Sequence, residues 1–320
     1  MKIDDFVKGI RSVAISGHVK PDGDCTGSVL ALYNYLDLNY PDIEKEIFLE
    51  APSTRFHFLR NFERINTSFE TDRTFDLMIA LDCATKDRLG RAQGIFEAAA
   101  HTICLDHHVS NPGYADENYI YGDASSACEV LYDYLDFGKI DKDIAECLYA
   151  GMVTDTGVFK YQSTSPYTMR AAASLMELGL DTNFIIDEAF YTKEYNENRI
   201  MGYAVMKSIL ICDGQLIYSS INADEMKRFG VTTTELDGIV PQLRMTRDIR
   251  CAIFMYEAAE NEYKFSFRSS NDFDVNKVAA VFGGGGHIRA AGCTVKGKPE
   301  TCLEAVLEEA CRQLRNSTQI

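Results

Sequence analysis

The sequence predicts an α/β protein with an N-terminal parallel-sheet domain and a smaller C-terminal α/β domain. Three observations carry that expectation. Phe75 to Asp82 (FDLMIALD) is apolar until its last residue, the pattern of a strand buried on both faces of a parallel sheet. Short apolar runs alternate with amphipathic stretches over residues 1–190, as in successive strand–helix units. The 320 residues exceed the size at which one core stops growing, and a charged, then amphipathic stretch from Thr192 to Lys207 interrupts the chain.

In chain order, Arg11 to Gly17 (RSVAISG) reads as a strand, His18 to Asp24 as a polar loop, and Thr26-Gly27-Ser28 as the opening of a helix through about Leu38. Glu46 to Glu50 is a second strand, Phe75 to Asp82 a third, and Thr102 to Leu105 a fourth that ends in Asp106-His107-His108. Ser126 and Glu129 have capping-box spacing for a helix through about Phe137. Asp141 to Ala150 and Tyr167 to Leu178 read as helices, with a shorter one after Thr182. The expected domains are 1–190 and 209–320, joined by a linking helix over 191–208. In the second, Asp213-Gly214 joins strands Ser208 to Cys212 and Leu216 to Asn222 as a hairpin. Ala223 to Phe229 and Thr232 to Met245 are helical, and Cys251 to Ala258 with Glu262 to Arg268 make another strand pair. A helix from Val275, the run Gly283-Gly284-Gly285-Gly286-His287, a strand through Val295 and a helix from about Glu300 complete the chain.

Composition excludes some functions. Lys plus Arg number 32 against 48 Asp plus Glu, a net charge of −16, which is the wrong sign for binding long duplex nucleic acid. A short anionic substrate remains compatible if cations or a local arginine cluster neutralise it. Ten scattered cysteines without a C-x-x-C pair read as small buried hydrophobes in a reducing compartment. No apolar run approaches a membrane span and the start lacks signal-peptide character, so a soluble, cytoplasmic protein is expected.

Four separate apolar segments end in polar residues: His18/Asp22/Asp24, Asp82, Asp106/His107/His108 and Asp155. Each has a bland reading as a solvated turn or helix end. A parallel sheet, however, gathers strand ends along one edge, where ligands bind. Five carboxylates, with three imidazoles, brought together repel one another unless cations intervene. Two divalent metals sharing a bridging carboxylate satisfy that demand and suit displacement at phosphorus. Asp/His ligation without thiolate favours Mn²⁺, with Mg²⁺ or Co²⁺ possible.

The segments H-V-K-P-D-G-D-C-T-G-S (18–28), L-D-C-A (81–84), D-H-H-V-S-N (106–111), G-M-V-T-D-T-G (151–157) and G-G-G-G-H-I-R-A-A-G (283–292) resemble the DHH–DHHA1 phosphoesterases. The resemblance follows their stand-alone branch, the bifunctional oligoribonucleases and pAp phosphatases (nano-RNases). It implies a Rossmann-like DHH catalytic domain followed by a DHHA1 substrate-binding domain. It further implies His18 and Asp22 at a first metal, Asp24, His107 and Asp155 at a second, and Asp82 between them. His108 would act on the scissile phosphate, Asp106 would orient a histidine, and Asn111 matches a position near the phosphate. Arg268, Ser269, His287 and the Gly284, Gly285 and Gly286 backbone would hold the substrate. The glycine run lacks the Lys-Ser/Thr of a nucleotide P-loop.

The expected activity is two-metal hydrolysis of short oligoribonucleotides or linear dinucleotides such as pApA to 5′-mononucleotides, with 3′-phosphatase action on pAp. A RecJ-like single-strand DNA exonuclease and a non-catalytic nucleotide-binding regulator are the alternatives. The expected partners are short RNA, a dinucleotide or pAp, without long duplex or membrane, and the family suggests a homodimer.

Overall fold

A computed structural model describes residues 2–270 and 272–317. The chain divides into two compact units, Met1–Thr192 and Lys193–Ile320. The expected domain limits at 1 and 320 lie outside the described residues.

The first unit runs α1 (Ile3–Phe6), β1 (Ser12–Ser16), α2 (Gly23–Asn39), β2 (Glu44–Phe48), β3 (Ile65–Asn66), β4 (Leu77–Leu81), α3 (Gln93–Ala98), β5 (Thr102–Asp106), β6 (Glu117–Ile120), α4 (Ala127–Tyr134), α5 (Lys142–Asp155), α6 (Pro166–Met176) and α7 (Thr182–Ile186). Its six strands are all parallel, in the order β3-β2-β1-β4-β5-β6. The apolar runs split between two faces with the strand period of two. Val13, Ile15, Ile47, Leu77, Ile79, Ile103 and Leu105 join the core built with α2, α4 and α5, while Ala14, Phe48, Met78 and Ala80 pack with Phe96 of α3 on the other side. This doubly wound order changes direction between the neighbours β1 and β4, and ligands bind where the carboxyl ends of such strands open a crevice. The loops after β1 and β4 carry His18 and Asp82.

Helix α2 begins at Gly23, three residues earlier than the expected Thr26, because the Asp22 side chain accepts from the backbone N–H of Asp24 and Cys25 and caps the helix. Ser126 caps α4 as its spacing suggests, but the Glu129 carboxylate turns to the Ser125 and Thr168 hydroxyls and does not close a capping box. β3 and β6 were not legible: one has two residues, and the other is a half-exposed edge strand with a polar pattern.

The second unit comprises α8 (Tyr195–Met206), β7 (Ile209–Ile211), β8 (Leu216–Ile221), α9 (Ala223–Phe229), α10 (Ile239–Arg244), β9 (Cys251–Ala259), β10 (Glu262–Ser269), α11 (Val275–Val281), β11 (Gly285–His287), β12 (Ala290–Lys296) and α12 (Pro299–Ser317). One mixed sheet, β11-β12-β10-β9-β8-β7, unites the two expected strand pairs through a parallel β8–β9 contact. Ile253, Phe265, Phe267 and Cys293 face α11 and α12, whereas Ile217, Ala252 and Phe254 face α8, α9 and α10. Helix α8 places Ile200 and Ala204 in that second core.

The expected helix over Thr232 to Met245 is divided into a short 3-10 turn, Thr233–Leu236, and α10. The expectation that every cysteine is an isolated buried hydrophobe is corrected at one pair: eight cysteines are buried and free, while Cys212 and Cys311 form a disulfide between the end of β7 and α12. Sequence spacing could not show this, since the two are 99 residues apart. Among the described residues, no helix is long and apolar enough to cross a membrane.

Candidate metal centre and phosphate-contacting residues

The carboxyl ends of β1, β4 and β5 and the ends of α2 and α5 bring together His18, Asp22, Asp24, Asp82, Asp106, His107, His108 and Asp155. Asp82 is at the middle. It follows β4 with its backbone in the left-handed region (φ 51°), a strained conformation for a residue with a side chain. Its carboxylate is 2% exposed and divides between two sets of neighbours. Oδ2 lies 3.4 Å from His18 Nε2, and Oδ1 lies 3.4 Å from His107 Nε2 and 3.6 Å from His108 Nδ1. Buried Oδ1 has no hydrogen-bond partner among the described residues.

Asp22 spends Oδ1 on the α2 cap and turns Oδ2 to within 3.7 Å of His18 Nε2. His18 Nδ1 donates to the Val19 carbonyl at 2.8 Å, which fixes the tautomer and leaves Nε2 directed at the carboxylates. Asp24 is 1% exposed; its oxygens accept from the backbone N–H groups of Ala127 and Cys128 at the start of α4. Its Oδ2 is also 3.9 Å from His107 Nε2, and Asp155 Oδ2 is 3.7 Å from the same nitrogen. Close helix packing allows this gathering: a side chain on Gly27 of α2 would meet the Cys147 carbonyl of α5 at 2.6 Å. After Asp155, Gly157, Val158 and Phe159 all have positive φ, and a strained β-branched residue beside a cluster of this kind points to a functional site.

Electrostatics test whether these residues suit a cation. Burial, with Asp82 and Asp155 nearby, drives the Asp24 pKa far upward, and burial helped by Asp82 and Asp22 lifts Asp155 to about 6. Burial opposes charge on His18 and His107, yet Asp22 and Asp82 around the first and Asp82, Asp24 and Asp155 around the second push each to about 10. These carboxylates demand positive charge. Three sets of potential donor atoms lie mutually within 4.8 Å: His18/Cys25/Asp82, Asp82/His107/His108 and Asp24/His107/Asp155. The donor chemistry and the orphaned Asp82 oxygen fit divalent cations.

Asp106 is fully buried and held as a carboxylate. Burial works against ionisation, but His108 and Asn111 outweigh it and lower its pKa. Its Oδ1 accepts from His108 Nδ1 at 2.8 Å and from the His107 backbone N–H, so the His108 ring is oriented with Nε2 as its remaining nitrogen. Asn111 is turned inward, donating to Asp106 Oδ2 at 2.7 Å and to the Cys83 carbonyl. It supports Asp106.

Two residues at this site escaped the sequence reading. Arg88 sits half-buried in the loop after β4, with Nη2 3.1 Å from His18 Nδ1, and no carboxylate pairs with it among the described residues. Its backbone carbonyl accepts from Val19 and ties this loop to the His18 loop. Cys25 places a thiol beside His18 and Asp82, so the cluster is not free of sulfur as the sequence suggested. Arginine after a strand-end aspartate carries no signal of its own, and only the fold reveals the direction of Cys25.

In the second unit, His287 of β11 pairs with Ala290 of β12, which pairs with Arg268 of β10. The register places the three abreast on one sheet face. Helix α10 packs on that face, and Arg244 at its end has a buried Nε without a partner among the described residues. Ser269 is turned inward, its hydroxyl donating to the Ile288 carbonyl. The end of the glycine run, Gly285–His287, forms an edge strand. A side chain on Gly284 would meet the Gly292 carbonyl at 2.2 Å, and one on Gly286 the Ala290 carbonyl at 2.5 Å. The glycines permit this tight β11–β12 pairing, and an edge strand turns one row of backbone groups outward.

Residues 12–152 match the DHH family N-terminal domain, and residues 213–316 match the DHHA1 domain. The bifunctional oligoribonuclease and PAP phosphatase NrnA of Bacillus subtilis is 27% identical over 94% of this chain and 95% of its own length. Its namesake from Thermus thermophilus is 28% identical over 94% and 90%. The crystal structure of an exopolyphosphatase-related protein from Bacteroides fragilis superposes with a TM-score of 0.88 at 25% identity, covering 99% of this chain and 97% of that one. With both domains present in this order, the chain belongs to the DHH–DHHA1 family of phosphoesterases and is a hydrolase of that family.

Proposed function

We propose that this chain is a divalent-cation-dependent phosphodiesterase of short oligoribonucleotides and linear dinucleotides such as pApA, releasing 5′-mononucleotides, with 3′-phosphatase action on pAp. The observation that carries the reading is the buried Asp82 carboxylate, one oxygen facing His18 and the unpartnered other facing His107 and His108. Similarity to the NrnA proteins over nearly the whole chain supports the substrate class.

His18 and Asp22 would hold a first cation and Asp24, His107 and Asp155 a second, with Asp82 shared between the two sets; Mn²⁺ would suit this oxygen- and nitrogen-rich set, with Mg²⁺ or Co²⁺ as substitutes. When bound, the cations stabilise negative charge on the phosphoryl oxygens and activate water. His108, oriented by Asp106, presents Nε2 to the scissile phosphate and protonates the leaving oxygen. Arg88 offers its guanidinium to a non-bridging phosphate oxygen. In the second unit, Arg268, Arg244 and His287 take a further phosphate, and the outer backbone of Gly284, Gly285 and Gly286 contacts the sugar–phosphate.

A Mn²⁺-supplemented panel of pApA, a five-nucleotide RNA, pAp, a long single strand and pyrophosphate tests the assignment. Preference for pApA or the short RNA, weakened in Arg268→Ala, is expected. Processive degradation of the long strand, or cleavage of pyrophosphate alone, overturns it.

A further inference from the structure

Cys25 is the third residue after the Asp22 cap, in the same first turn of α2 that carries Asp24. It is fully buried, and its backbone N–H donates to Asp22 Oδ1. Cys25 packs at the border of the apolar core, its thiol 4.0 Å from the His18 carbonyl oxygen, and it also has a ring nitrogen of His18 and a carboxylate oxygen of Asp82 with it inside a 4.8 Å cluster. The neighbouring chain makes room for the sulfur: a side chain on Gly17 would fall 2.3 Å from Cys25 Sγ. Asp82, 2% exposed, turns Oδ2 toward this position, 3.4 Å from His18 Nε2, and its other oxygen, Oδ1, on the His107 and His108 side, has no hydrogen-bond partner among the described residues.

We propose that Cys25 is a conditional metal ligand: a thiophilic divalent cation such as Zn²⁺ or Co²⁺ at the His18–Asp82 position is also bound by the Cys25 sulfur. Mn²⁺ and Mg²⁺, which prefer oxygen and nitrogen donors, are held there without it. The inference rests on the reading of His18 and Asp82 as metal-facing residues. On coordination the S–H bond breaks heterolytically, the electron pair stays on sulfur to form the metal–sulfur bond, and the proton passes to water. Nothing is oxidised or reduced. His, Cys and Asp together form a borderline-soft set, so the position discriminates between metals through one side chain.

Cobalt gives the test a readout independent of catalysis. Titrating Co²⁺ into chelator-treated full-length protein is expected to produce a near-ultraviolet sulfur-to-cobalt charge-transfer band, absent from Cys25→Ser and Cys25→Ala. In competition against Mn²⁺, the Zn²⁺ affinity of those variants falls by at least the roughly 10–100-fold that even an outer-shell partner is worth. X-ray absorption of cobalt-loaded wild-type protein requires no variant and should contain a sulfur scatterer. Absence of both the band and the sulfur scatterer in wild type overturns the proposal, as does a band that survives in both variants. Mn²⁺-dependent pApA hydrolysis by wild type is measured beside it. Hydrolysis without a cobalt–sulfur signal defeats only the role of Cys25, and a cobalt–sulfur signal without hydrolysis defeats only the proposed activity.

Discussion

His107 Nε2 lies 3.4 Å and His108 Nδ1 3.6 Å from Asp82 Oδ1, both longer than an ordinary hydrogen bond, and that oxygen has no hydrogen-bond partner among the described residues. His107 Nε2 also faces Asp24 and Asp155, so a single imidazole stands among three carboxylates. Divalent cations at this site, as proposed, would stabilise the N-terminal unit selectively. Calorimetry of chelator-treated protein should show the transition of that unit rise on adding Mn²⁺ while the other stays in place. At free Mn²⁺ a hundredfold above the dissociation constant, one site contributes about 2.7 kcal/mol. Equal movement of both transitions contradicts this.

His108 and Asp106 act as a pair. His108→Ala should lower kcat by roughly 10²–10⁴-fold, the usual worth of general acid–base help, with Mn²⁺ stoichiometry unchanged. Asp106→Asn should give a smaller loss, because the amide oxygen can still accept from His108 Nδ1 and hold the ring in place. Loss of a bound Mn²⁺ in His108→Ala would make this histidine a ligand instead.

Arg88 contacts substrate in this account. A hydrogen bond to a charged group is worth about 1.5–3 kcal/mol, so Arg88→Ala should raise KM for pApA by roughly 10–100-fold, with partial recovery in Arg88→Lys. A fall in kcat with KM unchanged would mean that Arg88 works through His18, 3.1 Å away.

The Cys212–Cys311 disulfide predicts eight free thiols in protein denatured without reductant. Its reduction should destabilise the C-terminal unit by about 2–4 kcal/mol and leave the N-terminal transition unmoved. Ten free thiols in freshly purified protein would contradict it.

The parallel core was legible because β4 and β5 are apolar throughout and end in Asp82 and Asp106, a pattern that only a doubly covered sheet requires. β3 and β6 were not, since short edge strands bury too little to leave a period. The edge strand in the glycine run was not legible, because glycines serve an open loop and a close strand contact equally, and the 2.2 Å approach at Gly284 belongs to the fold alone. The inward turn of Asn111, the cap that Asp24 gives α4, and the thiol of Cys25 depend on side-chain directions that no spacing records.

The central claim is that Asp82 organises two cations, and Mn²⁺ stoichiometry in Asp82→Asn tests it most directly. Isothermal titration of wild type and variant, followed by pApA hydrolysis on the same samples, compares proteins of nearly identical shape. The account predicts two Mn²⁺ per wild-type chain, one or none in Asp82→Asn, and hydrolysis abolished in the variant. Two bound Mn²⁺ and a near-normal rate in Asp82→Asn would contradict it.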